Sequence, residues 1–287
     1  MPGRPKKLNG QQLKKIYDIV TSNNPLQLKF EFALWTRDMV RELIWSRFKV
    51  KLSRVSVGRL LRKMGLSPQK PLRRAYQQDP ERVEQWLESE FPKIKALARK
   101  AGADIYFGDE ASIRSDYHSG TTWAPKGQTP IVSSTGARFS VNMISAISPR
   151  GLLRFMTIDG RFNADRFVDF LKRLMHNSQK PVFLIVDGHP VHKAKKVKNY
   201  IGSTEGRLRL FLLPPYSPEL NPSELVWNNL KSQRVGRKQI SGPNDLKRKV
   251  ISGLRSLQKT PHKIANFFHE KFVRYTIAEV SGALSTP

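Results

Sequence analysis

The sequence predicts an α/β protein in which a mixed β-sheet covered by helices follows an all-helical segment. Two patterns predict this architecture. From Asp104 onward, strand-forming and helix-forming runs follow the order β-β-β-α-β-α-β-α, which is typical of a sheet with helices on its faces. The first 74 residues contain amphipathic helical patterns instead. A chain of 287 residues, 39% of them hydrophobic, is long enough to form both parts.

Three helices are predicted in residues 1–74. The first spans residues 11–20, the second follows Thr36 and the third follows Ser53, both of which are good N-cap residues. Gly65 is placed to end the third helix. Two short helices joined by a tight connection, the second rich in basic residues, form a helix-turn-helix pattern. An ordinary three-helix bundle with a solvated basic face is the alternative interpretation.

Charge distinguishes this front segment from the rest of the chain. The protein has 51 Lys and Arg against 23 Asp and Glu, a net charge of +28, and residues 1–74 hold 18 basic and 4 acidic residues, a net +14. Such an excess favours a polyanionic partner, most simply double-stranded DNA. The cations expected to contact DNA are Arg4, Lys6 and Lys7 in an N-terminal arm, Arg54, Arg59, Arg62 and Lys63 in the third helix, and Arg73 and Arg74 in the linker that follows. For the arm, a disordered solubilising tail is the alternative.

Composition argues against several other classes of protein. No apolar run approaches 18 residues and the N-terminus has no apolar signal-peptide core, so we expect no membrane partner. The absence of cysteine excludes disulfides, thiolate zinc sites and a cysteine nucleophile. It also fits a cytoplasmic protein.

The remaining elements are predicted from periodicity and turn residues. A helix opens at Asp79-Pro80 and runs to about Lys100, and Pro92 is expected to kink or split it. Its acidic residues suggest a spacer between domains. Strands are predicted at 105–107, 121–123, 129–132, 139–147, 152–158, 181–186 and 208–213, and helices at 162–176, 192–200 and 222–234.

The most informative stretch is Leu212-Leu213-Pro214-Pro215-Tyr216-Ser217-Pro218-Glu219-Leu220-Asn221-Pro222-Ser223-Glu224-Leu225-Val226-Trp227. Two prolines stop a buried strand, and Asn221 then supplies an N-cap with Pro222 at the first helical position. Glu224 is thereby placed in the first turn of a helix. A purely structural alternative is a capping box, in which Glu224 reaches back to the backbone of Asn221, but the rest of the chain favours a functional role for this carboxylate.

Three acidic residues share a similar placement. Asp109 is predicted to end the first strand, Asp187 follows the apolar strand 181–186, and Glu224 begins a late helix. If the two strands are neighbours, these carboxylates meet at one edge of the sheet, where open α/β sheets bind ligands. Converging carboxylates suit Mg²⁺ or Mn²⁺, which prefer oxygen ligands.

Other residues compete for these roles. Glu110, Asp116 and Glu219 are local competitors for the carboxylate positions. His189 and His192 have metal-ligand spacing, but without cysteines or a helical Glu nearby a zinc site is not favoured. For these histidines we expect a loop-ordering or DNA-contacting role.

Four motifs together resemble the mariner-superfamily transposases, in particular their bacterial insertion-sequence branch. They are Gly108-Asp109-Glu110-Ala111, Thr122-Trp123-Ala124-Pro125-Lys126-Gly127, Val186-Asp187-Gly188-His189 and, most specifically, Leu213 to Trp227. The resemblance implies an RNase H-like catalytic domain whose D-D-E triad falls on Asp109, Asp187 and Glu224. It also implies cut-and-paste DNA transposition with Mg²⁺ (Mn²⁺ substituting), joining into TA sites, and a homodimer that brings two transposon terminal repeats together.

The expected domains are a basic arm with a helix-turn-helix (1–74), a helical linker (75–101), the catalytic core (102–235) and C-terminal helices (236–287). Relatives usually carry two helix-turn-helix subdomains with Gly-Arg-Pro between them, whereas here Gly3-Arg4-Pro5 stands at the start. We therefore expect this chain to lack the first subdomain, as a truncated or frameshifted copy would. The alternatives to a transposase are a DNA-binding regulator or inactive remnant, and a structure-selective nuclease that cuts without joining strands.

Overall fold

The computed structural model describes residues 7–23, 25–30, 34–69, 77–117, 125, 131 and 137–277. The chain divides into two compact units, Met1–Arg73 and Arg74–Pro287. In the described part of the chain, no helix is both long enough and apolar enough to cross a membrane. The predicted strand at 121–123 lies outside the described residues, and so does the one at 129–132 apart from Ile131, which is not part of a strand.

The described part of the first unit is built from helices α1 (Gly10–Ser22), α2 (Arg37–Phe48) and α3 (Arg54–Lys63). The expected caps are confirmed, because Thr36 Oγ1 accepts from the Met39 amide and Ser53 Oγ accepts from the Ser56 amide. Gly65 adopts φ +80° directly after α3, which is the left-handed conformation that ends helices. The apolar faces of the helices meet in a core that contains Ile16, Val40, Ile44 and Val57.

A long helix opens the second unit. It consists of α4 (Pro80–Gln85), a π-helical turn (Trp86–Glu90) and α5 (Phe91–Ala101). The distortion expected from Pro92 is present as this wide turn, which lets the chain continue as a helix on both sides. The apolar side of the helix, including Trp86 and Phe91, is buried in the core of the second unit. The helix that we expected to be a spacer is therefore also part of the packing of this unit.

The sheet has the order β3-β2-β1-β4-β5 among the described residues. Its strands are β1 (Asp104–Arg114), β2 (Ser140–Ile147), β3 (Leu153–Ile158), β4 (Val182–Val186) and β5 (Leu208–Leu212). The first three strands form an antiparallel meander, and β1, β4 and β5 run parallel. The predicted mixed sheet is confirmed, and β1 and β4 are neighbours.

Helices cover both faces of the sheet. One face packs against α6 (Ala164–Met175) and α7 (Lys195–Gly202), and the other against α5, α8 (Ser223–Asn229), α9 (Pro243–Gln258) and α10 (Pro261–Phe267). Strand β4 is buried on both faces, because Phe183 and Ile185 join one apolar cluster while Leu184 joins the other. Shorter turns complete the unit: 3₁₀ turns at Pro190–Lys193, Pro218–Leu220 and Arg274–Thr276, and a π-helical turn at Leu230–Val235.

The predicted end of the first strand was wrong. Strand β1 continues to Arg114, so Asp109 lies in the middle of the strand rather than at its end. The reason is that β2 pairs with β1 as far as Arg114, whereas β4 pairs only with residues Asp104 to Phe107. Asp109 therefore lies just beyond the last pair with β4, where the sheet narrows.

Candidate active site

Three carboxylates from separate parts of the chain line one cavity of about 390 Å³. Asp109 lies on β1, beyond the last residue that pairs with β4. Asp187 lies in the loop after β4, and Glu224 lies in the first turn of α8. Tyr216 and Lys193 line the same cavity. The structure thus brings together all three carboxylates that the sequence singled out.

Strand alternation separates Asp109 from its neighbour Glu110. Phe107 and Asp109 point towards the α8 side of the sheet, where Phe107 is buried. Glu110 points to the opposite side, where its Oε2 atom is 3.6 Å from Nε2 of His192. Glu110 does not line the cavity that Asp109 shares with Asp187 and Glu224.

Two buried side chains fasten the start of α8 to the backbone of β1. The amide nitrogen Nδ2 of Asn221 donates to the carbonyl oxygen of Gly108 at 3.0 Å, and Oγ of Ser223 donates to the carbonyl oxygen of Phe107 at 2.6 Å. Phe107 is the last residue of β1 that pairs with β4, so α8 is fastened where the pairing of these two strands stops. The two bonds hold Glu224 at a defined distance from Asp109.

The helix cap differs from the capping box that was the structural alternative for Glu224. Oδ1 of Asn221 accepts from the amide of Ser223 at 3.1 Å, and the helix begins at Ser223 rather than at Pro222. Glu224 does not return to the backbone of Asn221, and its side chain lines the cavity instead. The capping box does not form, because the backbone amide of Asn221, from which Glu224 would have to accept, donates to the carbonyl oxygen of Pro218 at 2.9 Å. The Glu224 carboxylate therefore faces the other acids.

Helix α8 also contacts Asp109 directly. The indole Nε1 of Trp227 donates to Oδ2 of Asp109 at 2.7 Å, and the Trp227 side chain is buried. Glu224 and Trp227 are three residues apart and therefore lie on the same side of the helix. The spacing Glu-x-x-Trp is visible in the sequence, but it does not by itself show that Trp227 contacts Asp109.

The Asp187 loop is ordered by two histidines. Oδ1 of Asp187 accepts from the backbone amide of His189 at 3.0 Å and lies 3.1 Å from Nδ1 of His192. The His192 ring is fully buried between Asp187 and Glu110. The 3.6 Å separation from Glu110 corresponds to an ion pair rather than a hydrogen bond. This arrangement agrees with the expected loop-ordering role.

The histidine and its aspartate shift each other's ionisation. Burial alone would lower the pKa of His192, but its contacts with Asp187 and Glu110 outweigh burial and raise the pKa to about 9. Burial alone would likewise raise the pKa of Asp187, but the bonds from His192 and the His189 amide hold it below its usual value. Atoms of Glu110, Asp187 and His192 come within 4.8 Å of one another. Since the imidazole has one nitrogen facing each carboxylate, we interpret this group as an ionic bridge.

The other two carboxylates lack such compensation. Burial, followed by repulsion from Glu224 and Glu110, raises the pKa of Asp109 well above its usual value. Burial also raises the pKa of Glu224, which Lys231 partly offsets. No ion pair to Asp109 or Glu224 is present among the described residues. A cation bound in the cavity would oppose these shifts and favour the ionised form of both carboxylates.

The competing acids have partners elsewhere. Asp116 pairs with Arg114 on the surface, and Glu219 accepts from Nε2 of Gln78 at 2.6 Å. Neither Asp116 nor Glu219 lines the cavity.

The cations expected to bind DNA are only partly within the described residues. Arg54, Arg59, Arg62 and Lys63 are exposed on α3, opposite the buried Val57. Nζ of Lys7 lies 3.4 Å from the carbonyl oxygen of Lys51. The other four, Arg4, Lys6, Arg73 and Arg74, lie outside the described residues.

Comparison with protein families matches residues 104–247 to the DDE superfamily endonuclease domain, which covers the sheet and all three carboxylates. The chain belongs to this superfamily. Residues 31–90 match a winged helix-turn-helix. The predicted helix-turn-helix is confirmed, and the matched range extends past the predicted boundary at residue 74.

Solved structures of the Mos1 transposase share the fold. The strand transfer complex of Mos1 superposes with a TM-score of 0.62 at 16% identity, covering 98% of this chain and 82% of the other. The Mos1 mariner paired end complex with Mn gives a TM-score of 0.62 at 16% identity, covering 96% and 81%. The predicted RNase H-like fold is confirmed.

A curated relative supports the insertion-sequence branch. An uncharacterized 39 kDa protein of insertion element IS630 from Shigella sonnei is 24% identical over 160 residues. The match covers 55% of this chain and 46% of the relative, so it spans about half the relative's length. The resemblance of this DDE protein to the mariner superfamily is confirmed.

Proposed function

We propose that this chain is a metal-dependent DNA transposase. It cuts DNA at the terminal repeats of an insertion sequence and joins the freed ends to TA sites. The observation that carries the proposal is the convergence of Asp109, Asp187 and Glu224 on one cavity in a chain of the DDE superfamily. The net charge of +28 supports DNA as the substrate.

The residues at the site fit divalent cations. The three side chains offer only carboxylate oxygens, the donors preferred by Mg²⁺ and Mn²⁺. The pKa values of Asp109 and Glu224 are raised, and neither carboxylate forms an ion pair with another described residue, so a bound cation would offset their mutual repulsion. We propose Mg²⁺ as the physiological ion, with Mn²⁺ able to substitute. When bound, such ions activate the attacking oxygen and stabilise the leaving oxygen in phosphodiester displacement.

The three carboxylates have separate places in the proposed site. Asp109 on β1 and Asp187 just after β4 would hold the cations, and Glu224 would complete the site from α8. Water is the nucleophile for cutting, and the resulting 3′-hydroxyl is the nucleophile for joining. The rigid placement of Glu224 by Asn221 and Ser223 supports this role, because phosphoryl transfer depends chiefly on positioning.

The first unit is proposed to recognise the terminal repeats. Its exposed cations on α3 can contact phosphates, while Val55 and Ser56 on the same exposed face are available to base edges. A homodimer is proposed because two transposon ends have to be joined in one event. Since the substrate is chromosomal DNA, we place the activity in the bacterial cytoplasm.

The proposal is tested by cleavage of linear DNA that carries the flanking terminal repeats, with Mn²⁺ and with chelator. Wild type, Asp187→Asn and Glu224→Gln are compared with Asp116→Asn, a control acid outside the cavity. We expect cutting at the repeat boundary, lost in both site variants and kept in the control. Tight binding without cutting by wild type would instead favour the DNA-binding regulator, and cutting without strand joining would favour the nuclease.

A further inference from the structure

The contact between Trp227 and Asp109 is more specific than packing requires. A buried indole N–H needs a hydrogen-bond acceptor, and many acceptors would serve. Here the acceptor is Oδ2 of a carboxylate in the cavity, at the short distance of 2.7 Å. The distance lies at the short end of the range for N–H···O hydrogen bonds.

The chemical type of the donor is informative. Lysine or arginine at this position would neutralise Asp109 and compete with a cation for it. An indole donates a hydrogen bond without carrying charge, so it can orient the carboxylate and leave its negative charge in place. The indole occupies Oδ2, which leaves Oδ1 for a ligand.

We propose that Trp227 is a positioning residue that holds Asp109 through Oδ2 and presents Oδ1 to the divalent cation. This inference rests on the proposed function for the identity of the ligand. Helix α8 would then control two of the three acids, since it carries Glu224 itself and orients Asp109 through Trp227, one turn later. Because Glu224 and Trp227 lie on the same helix, a movement of α8 would displace the carboxylate of Glu224 and, through Trp227, that of Asp109.

Trp86 provides a matched control within the same unit. Both tryptophans are 1% exposed and belong to the same apolar cluster. Replacing either with phenylalanine removes a similar volume from the core, but only Trp227→Phe removes the donor to Asp109. A loss of metal binding that comes from general loosening of the core would therefore appear in both variants.

The first measurement is Mn²⁺ affinity by isothermal titration calorimetry on the full chain. Loss of a group that orients a metal ligand typically weakens metal binding by about 10- to 100-fold. We expect Trp227→Phe to show such a loss and Trp86→Phe to match wild type. In cleavage assays, the Mn²⁺ concentration for half-maximal rate should rise in Trp227→Phe, while the rate at saturating Mn²⁺ is largely restored. Unchanged Mn²⁺ affinity in Trp227→Phe, or an equal loss in Trp86→Phe, would overturn the proposal.

A second measurement does not depend on folding of the phenylalanine variant. The protein has five tryptophans, whose indole N–H groups give separate NMR signals. In metal-free protein, Asp109→Ala should shift the Trp227 signal upfield and speed its exchange with solvent. An unmoved signal would show that the bond does not form and would overturn the proposal.

The two proposals fail in distinguishable ways. If wild type binds Mn²⁺ and Trp227→Phe weakens that binding, but wild type never cuts terminal repeats, the positioning role is supported and the transposase function is contradicted. If wild type binds no Mn²⁺, both the positioning role and the metal-dependent mechanism are contradicted.

Discussion

The side-chain amide of Asn221 bridges two segments separated by 113 residues, donating from Nδ2 to the carbonyl oxygen of Gly108 at 3.0 Å. Through Oδ1 the same amide accepts from the backbone of Ser223. Asn221 is 4% exposed, so both bonds are shielded from water. This one side chain joins the strand of Asp109 to the helix of Glu224.

Asn221→Ala should therefore destabilise the second unit and impair the site together. The change leaves a buried carbonyl and a buried amide without partners, each costing about 1–3 kcal/mol. We expect a loss of at least about 2 kcal/mol in the free energy of unfolding, measured by urea denaturation. Asn228→Ala, an exposed position on the same helix, is the control and should be nearly neutral. Equal stability of the two variants would contradict the bridging role.

Gly108→Ala should destabilise by overpacking. A Cβ at this position would lie 3.1 Å from Cδ1 of Leu184 and 3.1 Å from Cγ1 of Val186, both fully buried on β4. We expect a cost of about 1–3 kcal/mol in unfolding free energy, because strand β4 has to shift. Gly202→Ala, at the end of α7 with no atom within 4 Å of the added Cβ, should be neutral or stabilising. Gly108→Ala should therefore lower the Tm, whereas Gly202→Ala should leave the Tm unchanged or raise it.

Mn²⁺ should raise the Tm of wild type through the site. A ligand at 100 times its Kd adds about 2.7 kcal/mol of stability, which shifts Tm by several degrees in a unit of this size. Glu224→Gln should lose most of this shift, whereas Asp116→Asn, whose side chain pairs with Arg114 away from the cavity, should keep it. A full shift in Glu224→Gln would show that the ion binds elsewhere, for example at the Glu110, Asp187 and His192 group.

Arg59→Ala and Arg62→Ala should each weaken DNA binding at all sequences. Each lost phosphate contact reduces the slope of log K against log salt by about 0.9. The measurement is a salt series of binding to terminal-repeat DNA by fluorescence anisotropy. Arg173→Ala, an exposed cation on α6 of the second unit, is the control. An unchanged slope of log K against log salt in Arg59→Ala would show that α3 does not contact the phosphate backbone.

Asp245 should make stability depend on acid pH. Its carboxylate accepts from Nζ of Lys249 at 2.6 Å, from the Ser241 amide at 3.0 Å and from Nη2 of Arg248 at 2.6 Å, and these bonds hold its pKa well below the usual range. Because the folded-state pKa is depressed, the stabilisation is present above the unfolded pKa of about 3.9 and is lost as pH falls below it.

The corresponding measurement compares the Tm of wild type and Asp245→Asn from pH 7 downward. We expect wild type to have the higher Tm at pH 7 and the difference to shrink below about pH 4. Asp159→Asn, an exposed acid whose partner is Lys247, is a control with a smaller expected effect. A difference that stays constant with pH would mean that packing, not charge, explains the Asp245→Asn effect.

Much of the fold was predictable because its signals are local. The caps at Thr36 and Ser53, the left-handed Gly65 and the apolar strand β4 each depend on residues within a few positions. The same holds for the distortion of the long helix before Pro92. Their interactions form within one turn or one strand, so residue type and spacing suffice to predict them.

The sequence by itself determined the order of the elements, the helix-turn-helix and the three acids Asp109, Asp187 and Glu224 as candidates for a metal site. Tertiary structure alone decided that Asp109 lies within a strand, that Asn221 and Trp227 fasten α8 to β1, and that His192 bridges Asp187 and Glu110. The contacts between α8 and β1 join residues more than 100 positions apart. They depend on where β4 ends beside β1, and strand pairing over such separations leaves no local pattern in the chain.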